Sequence, residues 1–292
     1  MSRPLVLLAT FALLPDGETG GQLLVDAFAE RGAEARWVAW DDPSVDWAAA
    51  DAVAVRSTWD YHRRLPEFLA WARATGERTR LLNDAAVLAW NADKAYLLEL
   101  PDLADPIATV PTALLDDEGL VRDLQAAIDR WGTVVVKPRT GASGTGVCVA
   151  ASTDDQRLDA LTPGPWLVQP LVESVRTTGE TSVFVMAGSA CAQVDKVPAQ
   201  GTDEIRVHPS HGGSNAAVPL DPARAALAEQ VVARMAAHRA TELVYARVDL
   251  VQWQGEWVLS ELEVIEPGLY LDLVPAVAGP FADAVLTTLA SS

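Results

Sequence analysis

Apolar and polar positions follow two rhythms along the chain. In the first hundred residues, buried-strand runs alternate with helical spacing. Residues 4–10 form a continuous apolar run of strand length, and residues 21–30 place apolar side chains at helical intervals before stopping at Gly32. Residues 35–40 and 52–55 read as strands, 66–75 as a helix ended by Gly76, and Leu81-Leu82 as a last short strand. Such a βαβ alternation predicts a parallel sheet covered by helices. A further helix is expected over 91–100. Pro101, Pro106 and Pro111 then mark a boundary.

The rhythm then changes. Residues 119–131 have the spacing of an amphipathic helix, and the stretch TVVVKPRTGASGTGVCVAAS reads strand, glycine-rich loop, strand. PWLVQPLV is a strand with a proline inside it, which predicts an edge or a hinge. A hairpin is expected over 180–197 about Ala187-Gly188, a loop over 199–216, and a long helix over 223–240. A second hairpin over 243–265 should turn at Gln254-Gly255, and a helix over 280–289 should close the chain. The second half is therefore α+β with mostly antiparallel strands. The expected division is an α/β domain over 1–105, a central unit over 106–165 and a C-terminal unit over 166–292.

Composition narrows the function. Half of the 292 residues are hydrophobic, which supports a large core, and no apolar run reaches the length of a membrane span. Residues 1–17 carry one Arg and no small-residue cleavage site, so they read as a strand and not as a signal peptide. Cys148 and Cys191 form neither a disulfide framework nor a metal spacing, as expected of a cytoplasmic protein with reduced thiols. The formal charge of −18 argues against a nucleic-acid partner, because such a surface repels the phosphate backbone. It leaves room for a local anion site. Only Lys94, Lys137 and Lys196 are lysines, against 19 arginines. A compact ammonium suits a single phosphate oxygen better than a planar fork does.

Two constellations carry chemistry. After Lys137, Gly141, Gly144 and Gly146 alternate with Thr140, Ser143 and Thr145. Glycines let backbone N–H groups approach phosphate oxygens, and the hydroxyls add donors. The order is neither that of a Walker loop nor that of a dinucleotide-binding turn, leaving a glycine-rich hairpin over phosphates. The second constellation is ARVDLVQWQGEWVLSELEVIEPG. Glu261 and Glu263 are two apart on one strand, and antiparallel pairing brings Asp249 level with them. Three carboxylates on one sheet face repel unless a cation neutralises them, and hard oxygen donors suit Mg²⁺. Glu266, five residues after Glu261, faces away if the strand continues.

In this order the two constellations resemble the ATP-grasp superfamily. The resemblance implies an N-terminal parallel-sheet α/β domain and two α+β subdomains that clasp ATP. It implies that Lys94 and Lys137 hold phosphates, and that Gly141, Ser143, Gly144 and Thr145 cover them. Gln169 and Leu171 lie in the adenine hinge, the Leu171 N–H serving the base because Pro170 has none, and Glu180 belongs to the nucleotide site. The family metal pattern appears as Arg247, Asp249, Glu261 and Glu263 with two Mg²⁺ ions. Here Glu263 stands where Asn is usual. The N-terminal part resembles glutathione synthetases through Arg56, Asp60-Tyr61, Asn83 and Asn91 to Lys94. The segment DKVPAQGTDEIRVHPSHGGS resembles peptide ligases through Lys196, Arg206 and Gly212-Gly213, with His208 and His211 left without a role.

The implied chemistry is ATP-driven carboxylate–nitrogen bond formation through an acylphosphate, with Arg206 and Arg247 stabilising developing charge. Arg56, Tyr61, Lys196, Gly212 and Gly213 are the expected substrate-binding residues. A small zwitterion fits them, with Arg56 for a carboxylate, Asp60 for an ammonium and aromatic side chains as walls. In size and layout the chain resembles the ATP-grasp cyclo-ligases of antibiotic biosynthesis that close O-ureido-D-serine into D-cycloserine. A ligase joining two amino acids, a small-molecule kinase and a non-catalytic ATP-binding module are the alternatives. A homodimer is left open.

Overall fold

The computed structural model describes residues 3–161 and 164–290. The chain opens with β1 (Leu5–Thr10), α1 (Gln22–Glu30), β2 (Glu34–Ala39), β3 (Ala52–Ser57), α2 (Leu65–Gly76), β4 (Arg80–Leu82) and α3 (Ala85–Asn91). These strands form a parallel sheet of order β2-β1-β3-β4, as the βαβ rhythm predicts. The helix expected over 91–100 falls elsewhere. Asp84 caps α3 by accepting from the Ala86 and Val87 N–H groups, both at 2.9 Å, so the helix begins at Ala85 and ends at Asn91. A separate 3₁₀ turn over Lys94–Leu98 follows, capped by Asp93.

The central unit contains β5 (Ala113–Leu115), α4 (Leu120–Trp131), β6 (Val134–Pro138), β7 (Cys148–Ala150) and β8 (Trp166–Pro170). Its sheet order is β5-β8-β6-β7, so β8 is an interior strand and the unit runs through Pro170, past the boundary expected at 165. The proline is tolerated because it is the last residue of the strand. Leu115, Leu124, Val134, Val136, Trp166 and Val168 give this unit a small core of its own.

The third sheet contains β9 (Glu180–Met186), β10 (Ser189–Val197), β11 (Ser214–Val218), β12 (Tyr245–Trp253) and β13 (Glu256–Glu263), in the order β11-β10-β9-β12-β13. All its pairings are antiparallel. The helix α5 (Pro222–Arg239) packs on it. β11 begins inside the stretch expected as a loop.

The closing helix α6 (Ala278–Ala290) returns to the N-terminal domain. Phe281 meets Phe28 of α1 edge-on with ring centroids 6.2 Å apart, and Arg31 Nε donates to Asp283 Oδ1 at 2.6 Å. Val6, Leu8 and Phe28 share one core with Phe184, Met186, Tyr245 and Phe281. The parallel and five-stranded sheets are thus joined by a continuous core, and the central unit adds a cluster of its own while Leu167 of β8 packs into the core of the five-stranded sheet.

Two buried asparagines fix the end of β13. Asn91 Nδ2 donates to the Leu262 carbonyl at 2.8 Å, and its Oδ1 accepts from Val264 N–H at 3.1 Å. Asn83 Nδ2 donates to the Tyr245 and Val264 carbonyls, and its Oδ1 accepts from Val244 N–H at 2.7 Å. Asn91→Leu keeps the side-chain size but leaves two buried backbone groups unpaired, at about 1–3 kcal/mol each. Its urea midpoint is expected to fall clearly below wild type. An unchanged midpoint would mean these bonds do not hold the strand.

Candidate active site

The five-stranded sheet, the central unit and loops of the N-terminal domain line a cleft of about 510 Å³, within the usual size for a small-ligand site. Its floor is the five-stranded sheet. Glu180 and Ser182 on β9, Lys196 on β10, Arg247 and Asp249 on β12, and Glu261 and Glu263 on β13 share one face because each strand contributes alternate residues. The register pairs Asp249 with Glu261 and Arg247 with Glu263, because an irregularity between Asp249 and Leu250 shifts the pairing that the Gln254-Gly255 turn sets by one residue.

The charges are interleaved. Lys94 Nζ donates to Glu261 Oε1 at 2.5 Å and to the Gly141 carbonyl at 3.1 Å. Arg247 bridges Asp249, at 2.8 Å, and Glu263. Lys196, 3% exposed, pairs with Glu180 and Asp249, and Ser182 Oγ donates to Asp249 Oδ1 at 2.5 Å. Burial alone would raise the Asp249 and Glu261 carboxyls, but the neighbouring cations hold both below the ordinary range. Burial wins at Glu263, pushed up to about 7 although Arg247 opposes it, and at Glu266, pushed up to about 8 with help from the Glu263 charge. Lys137 lines the cleft without an ion-pair partner among the described residues, and burial lowers its pKa.

No three His, Cys, Asp or Glu side chains among the described residues are drawn close enough to hold a metal ion. Convergence of Asp249, Glu261 and Glu263 on one point is therefore not what the fold presents: Lys94 and Arg247 stand between the acids. The donor chemistry still fits a hard cation, since all three are carboxylates on one face of the cleft.

Gly141, Ser143, Gly144 and Thr145 line the cleft opposite this floor. Gly144 has φ +67°, and a Cβ there would meet Arg206 Cδ at 3.3 Å, so the loop and the 206–213 segment touch at the mouth. His211 Nε2 lies 3.2 Å from the Ser143 carbonyl and reinforces that contact, while His208 lines the cleft. Arg206 also lines it, held by Glu204 at 2.6 Å.

Several expectations are corrected. Arg56 is wholly buried and does not line the cleft; its Nη2 donates to Glu18 Oε1 at 2.8 Å and to the Pro267 carbonyl at 2.5 Å. Asp60 accepts from Trp40 Nε1 at 3.0 Å and is likewise not a cleft residue. Gly212 and Gly213 are not cleft-lining either. A Cβ on Gly213 would lie 2.1 Å from the Val207 carbonyl, so close backbone approach accounts for that glycine. The Leu171 N–H is committed to the Thr133 carbonyl at 3.0 Å. Val172, next along and in the cleft, has a backbone N–H with no acceptor among the described residues. Gln169 lines the cleft as expected, with Nε2 donating to Thr112 Oγ1 at 2.8 Å.

The sequence reading missed Glu18; Trp59 lines the cleft as the aromatic wall expected over 56–62, and Glu266 lines it too. Glu266 enters the cleft because β13 ends at Glu263 and strand alternation no longer applies. Tyr61, expected here, is present and 4% exposed.

Two family models match the chain. Residues 6–83 match the N-terminal domain of D-cycloserine synthetase DcsG, and residues 97–273 match the ATP-grasp domain of prokaryotic glutathione synthetase. The cycloserine biosynthesis protein DcsG of Streptomyces lavendulae is 32% identical over 281 residues, covering 91% of this chain and 92% of the relative. A glutathione synthetase of Bordetella parapertussis is 26% identical over 212 residues, covering 70% and 60%. The crystal structure of D-cycloserine synthetase DcsG superposes with TM-score 0.85 at 28% identity, covering 98% and 99% of the two chains. ATP with Mg²⁺ is the family's nucleotide, and no helix among the described residues is long and apolar enough to cross a membrane. The chain is an ATP-dependent, carbon–nitrogen bond-forming ligase that belongs to the ATP-grasp family of D-cycloserine synthetase DcsG.

Proposed function

We propose that this enzyme activates the carboxylate of a small amino acid with ATP and closes a ring on it, converting O-ureido-D-serine to D-cycloserine in the cytoplasm. The observation that carries this reading is the match of the N-terminal domain, residues 6–83, to that of D-cycloserine synthetase. The ATP-binding half is shared with glutathione synthetases, so the N-terminal domain is the part that separates the two chemistries. A cleft of about 510 Å³ also suits a nucleotide beside one small molecule better than beside a long peptide acceptor.

In this reading Lys94 and Lys137 bind phosphates under the 141–146 loop, and the adenine lies along Gln169 to Val172. Asp249, Glu261 and Glu263 hold two Mg²⁺ ions, and Glu180 borders the nucleotide. Bound there, the metal neutralises phosphate charge and orients the γ-phosphoryl group. A substrate carboxylate oxygen attacks the γ-phosphorus, giving an acylphosphate and ADP. A nitrogen of the same molecule then attacks the acyl carbon, phosphate leaves, and the ring closes. Water then cleaves the bond between that nitrogen and the carbamoyl carbon, leaving the proton on the ring nitrogen of D-cycloserine and releasing the carbamoyl group as CO₂ and NH₃. The central unit has its own core, so it can move as a lid and keep water from the acylphosphate.

Arg206 sits at the mouth against Gly144, where an incoming carboxylate and the phosphoryl group meet. Arg206→Ala is expected to lower kcat on the order of 10²-fold, the usual cost of losing one charge-stabilising donor, with little change in ATP affinity. Equal losses in both would place Arg206 on the ground-state nucleotide instead. The function is tested by ADP release with amino acids offered singly and in pairs. Turnover with O-ureido-D-serine alone supports cyclisation. Turnover only with pairs supports the intermolecular ligase, the alternative favoured by the glutathione synthetase match.

A further inference from the structure

Most charges in the cleft are neutralised by neighbours. Lys94 pairs with Glu261, Lys196 with Glu180 and Asp249, and Arg247 with Asp249 and Glu263. Glu18, 5% exposed, is matched by Arg56 and accepts from Leu269 N–H at 2.6 Å. Besides the exposed Asp272, two cleft residues of opposite sign are left over among the described residues. One is Lys137, on the strand leading into the glycine-rich loop. The other is Glu266, 8% exposed, whose carboxyl has no cation within ion-pair distance among the described residues.

A carboxyl buried without a counter-charge resists ionisation, and a cation bound beside it is what makes the charged form favourable. The surroundings select the kind. Glu266 lies beside the N-terminal domain, where Trp59 Nε1 donates to the Glu266 carbonyl at 3.2 Å and Trp59 and Tyr61 also line the cleft. Aromatic faces beside a carboxylate attract an organic ammonium, whereas a hard metal ion prefers oxygen ligands and water.

We propose that Glu266, walled by Trp59 and Tyr61, is the subsite for the α-ammonium group of the amino-acid substrate. This rests on the amino-acid ligase reading above and adds the element that orients the substrate. The ammonium held at Glu266 orients the amino acid, while Lys137 is left for the phosphates. Asp60, the residue expected for this task, is engaged with Trp40, and Glu18 already has its cation.

The test compares wild type with Glu266→Gln and Glu266→Asp, using O-ureido-D-serine and its analogue that lacks the α-amino group. Glu266→Gln is expected to raise the substrate KM ~30-fold or more, as for removal of one partner of a buried charge pair. ATP affinity measured by calorimetry should be unchanged, and Glu266→Asp should recover part of the loss. Wild type should bind the deamino analogue much more weakly than the substrate, and Glu266→Gln should lose that discrimination. Turnover by wild type with Glu266→Gln showing an unchanged KM and the same discrimination would overturn the subsite while leaving the ligase reading intact. A higher Mg²⁺ requirement at unchanged substrate affinity would also overturn it, assigning Glu266 to metal. Absence of turnover and of binding by wild type with every amino acid would refute the ligase reading itself, and the subsite with it.

Discussion

Glu261→Gln is expected to lower kcat by on the order of 10³-fold or more. A metal-ion site contributes several kcal/mol to phosphoryl-transfer chemistry, at about 1.4 kcal/mol per decade of rate. The amide keeps the length of the side chain and an oxygen that can accept from Lys94 Nζ, which lies 2.5 Å away in the parent, so the fold should survive. The check is single-turnover ADP formation alongside thermal unfolding. Activity within tenfold of wild type in a folded variant would remove Glu261 from the proposed metal set. Glu263, which Arg247 already neutralises in part and which replaces the usual Asn, should tolerate Asn better than Glu261 tolerates Gln.

Arg56→Ala should act on stability first. Arg56 and Glu18 are 0% and 5% exposed, and removing the guanidinium strands a buried carboxylate at about 3–5 kcal/mol. The guanidinium also lies over the Tyr245 and Phe281 rings, 5.5 and 5.0 Å from their centroids, so truncation opens the core that joins the two larger sheets. The expected result is a large drop in denaturation midpoint, partly recovered when Glu18→Gln is added to Arg56→Met. A normally stable Arg56→Ala protein with only a raised substrate KM would instead return Arg56 to the substrate.

The chemistry of the floor was legible in part. Two carboxylates two residues apart share a face, but the register set by the Gln254-Gly255 turn, Trp253 with Glu256 through Leu250 with Leu259, would put Asp249 opposite Ser260; an irregularity between Asp249 and Leu250 shifts it to Glu261, which no local pattern in the sequence shows. The glycine-rich loop was legible because its glycines and hydroxyls lie between two short apolar strands. Parity gives no guidance beyond a strand end: Glu266 would face away only if the strand continued, and β13 ends at Glu263. It also fails on β3, where every residue from Ala52 to Ser57 is buried and sequence does not show whether Arg56 faces cleft or core. Leu171 was misassigned because its N–H continues the β8–β6 pairing by one residue, to Thr133, a contact between segments far apart in sequence. The break after Asn91 was obscured for a similar reason: the asparagine side chain pairs with β13, 171 residues away, instead of extending the helix.

The central claim is that ATP activates a substrate carboxylate that a nitrogen of the same molecule then captures. O-ureido-D-serine carrying ¹⁸O in both carboxyl oxygens tests it directly. The carboxylate oxygen that attacks phosphorus departs with it, so mass spectrometry should find one ¹⁸O in each phosphate released and one in the cyclic product. Unlabelled phosphate, with both labels retained on an uncyclised product, would contradict the account.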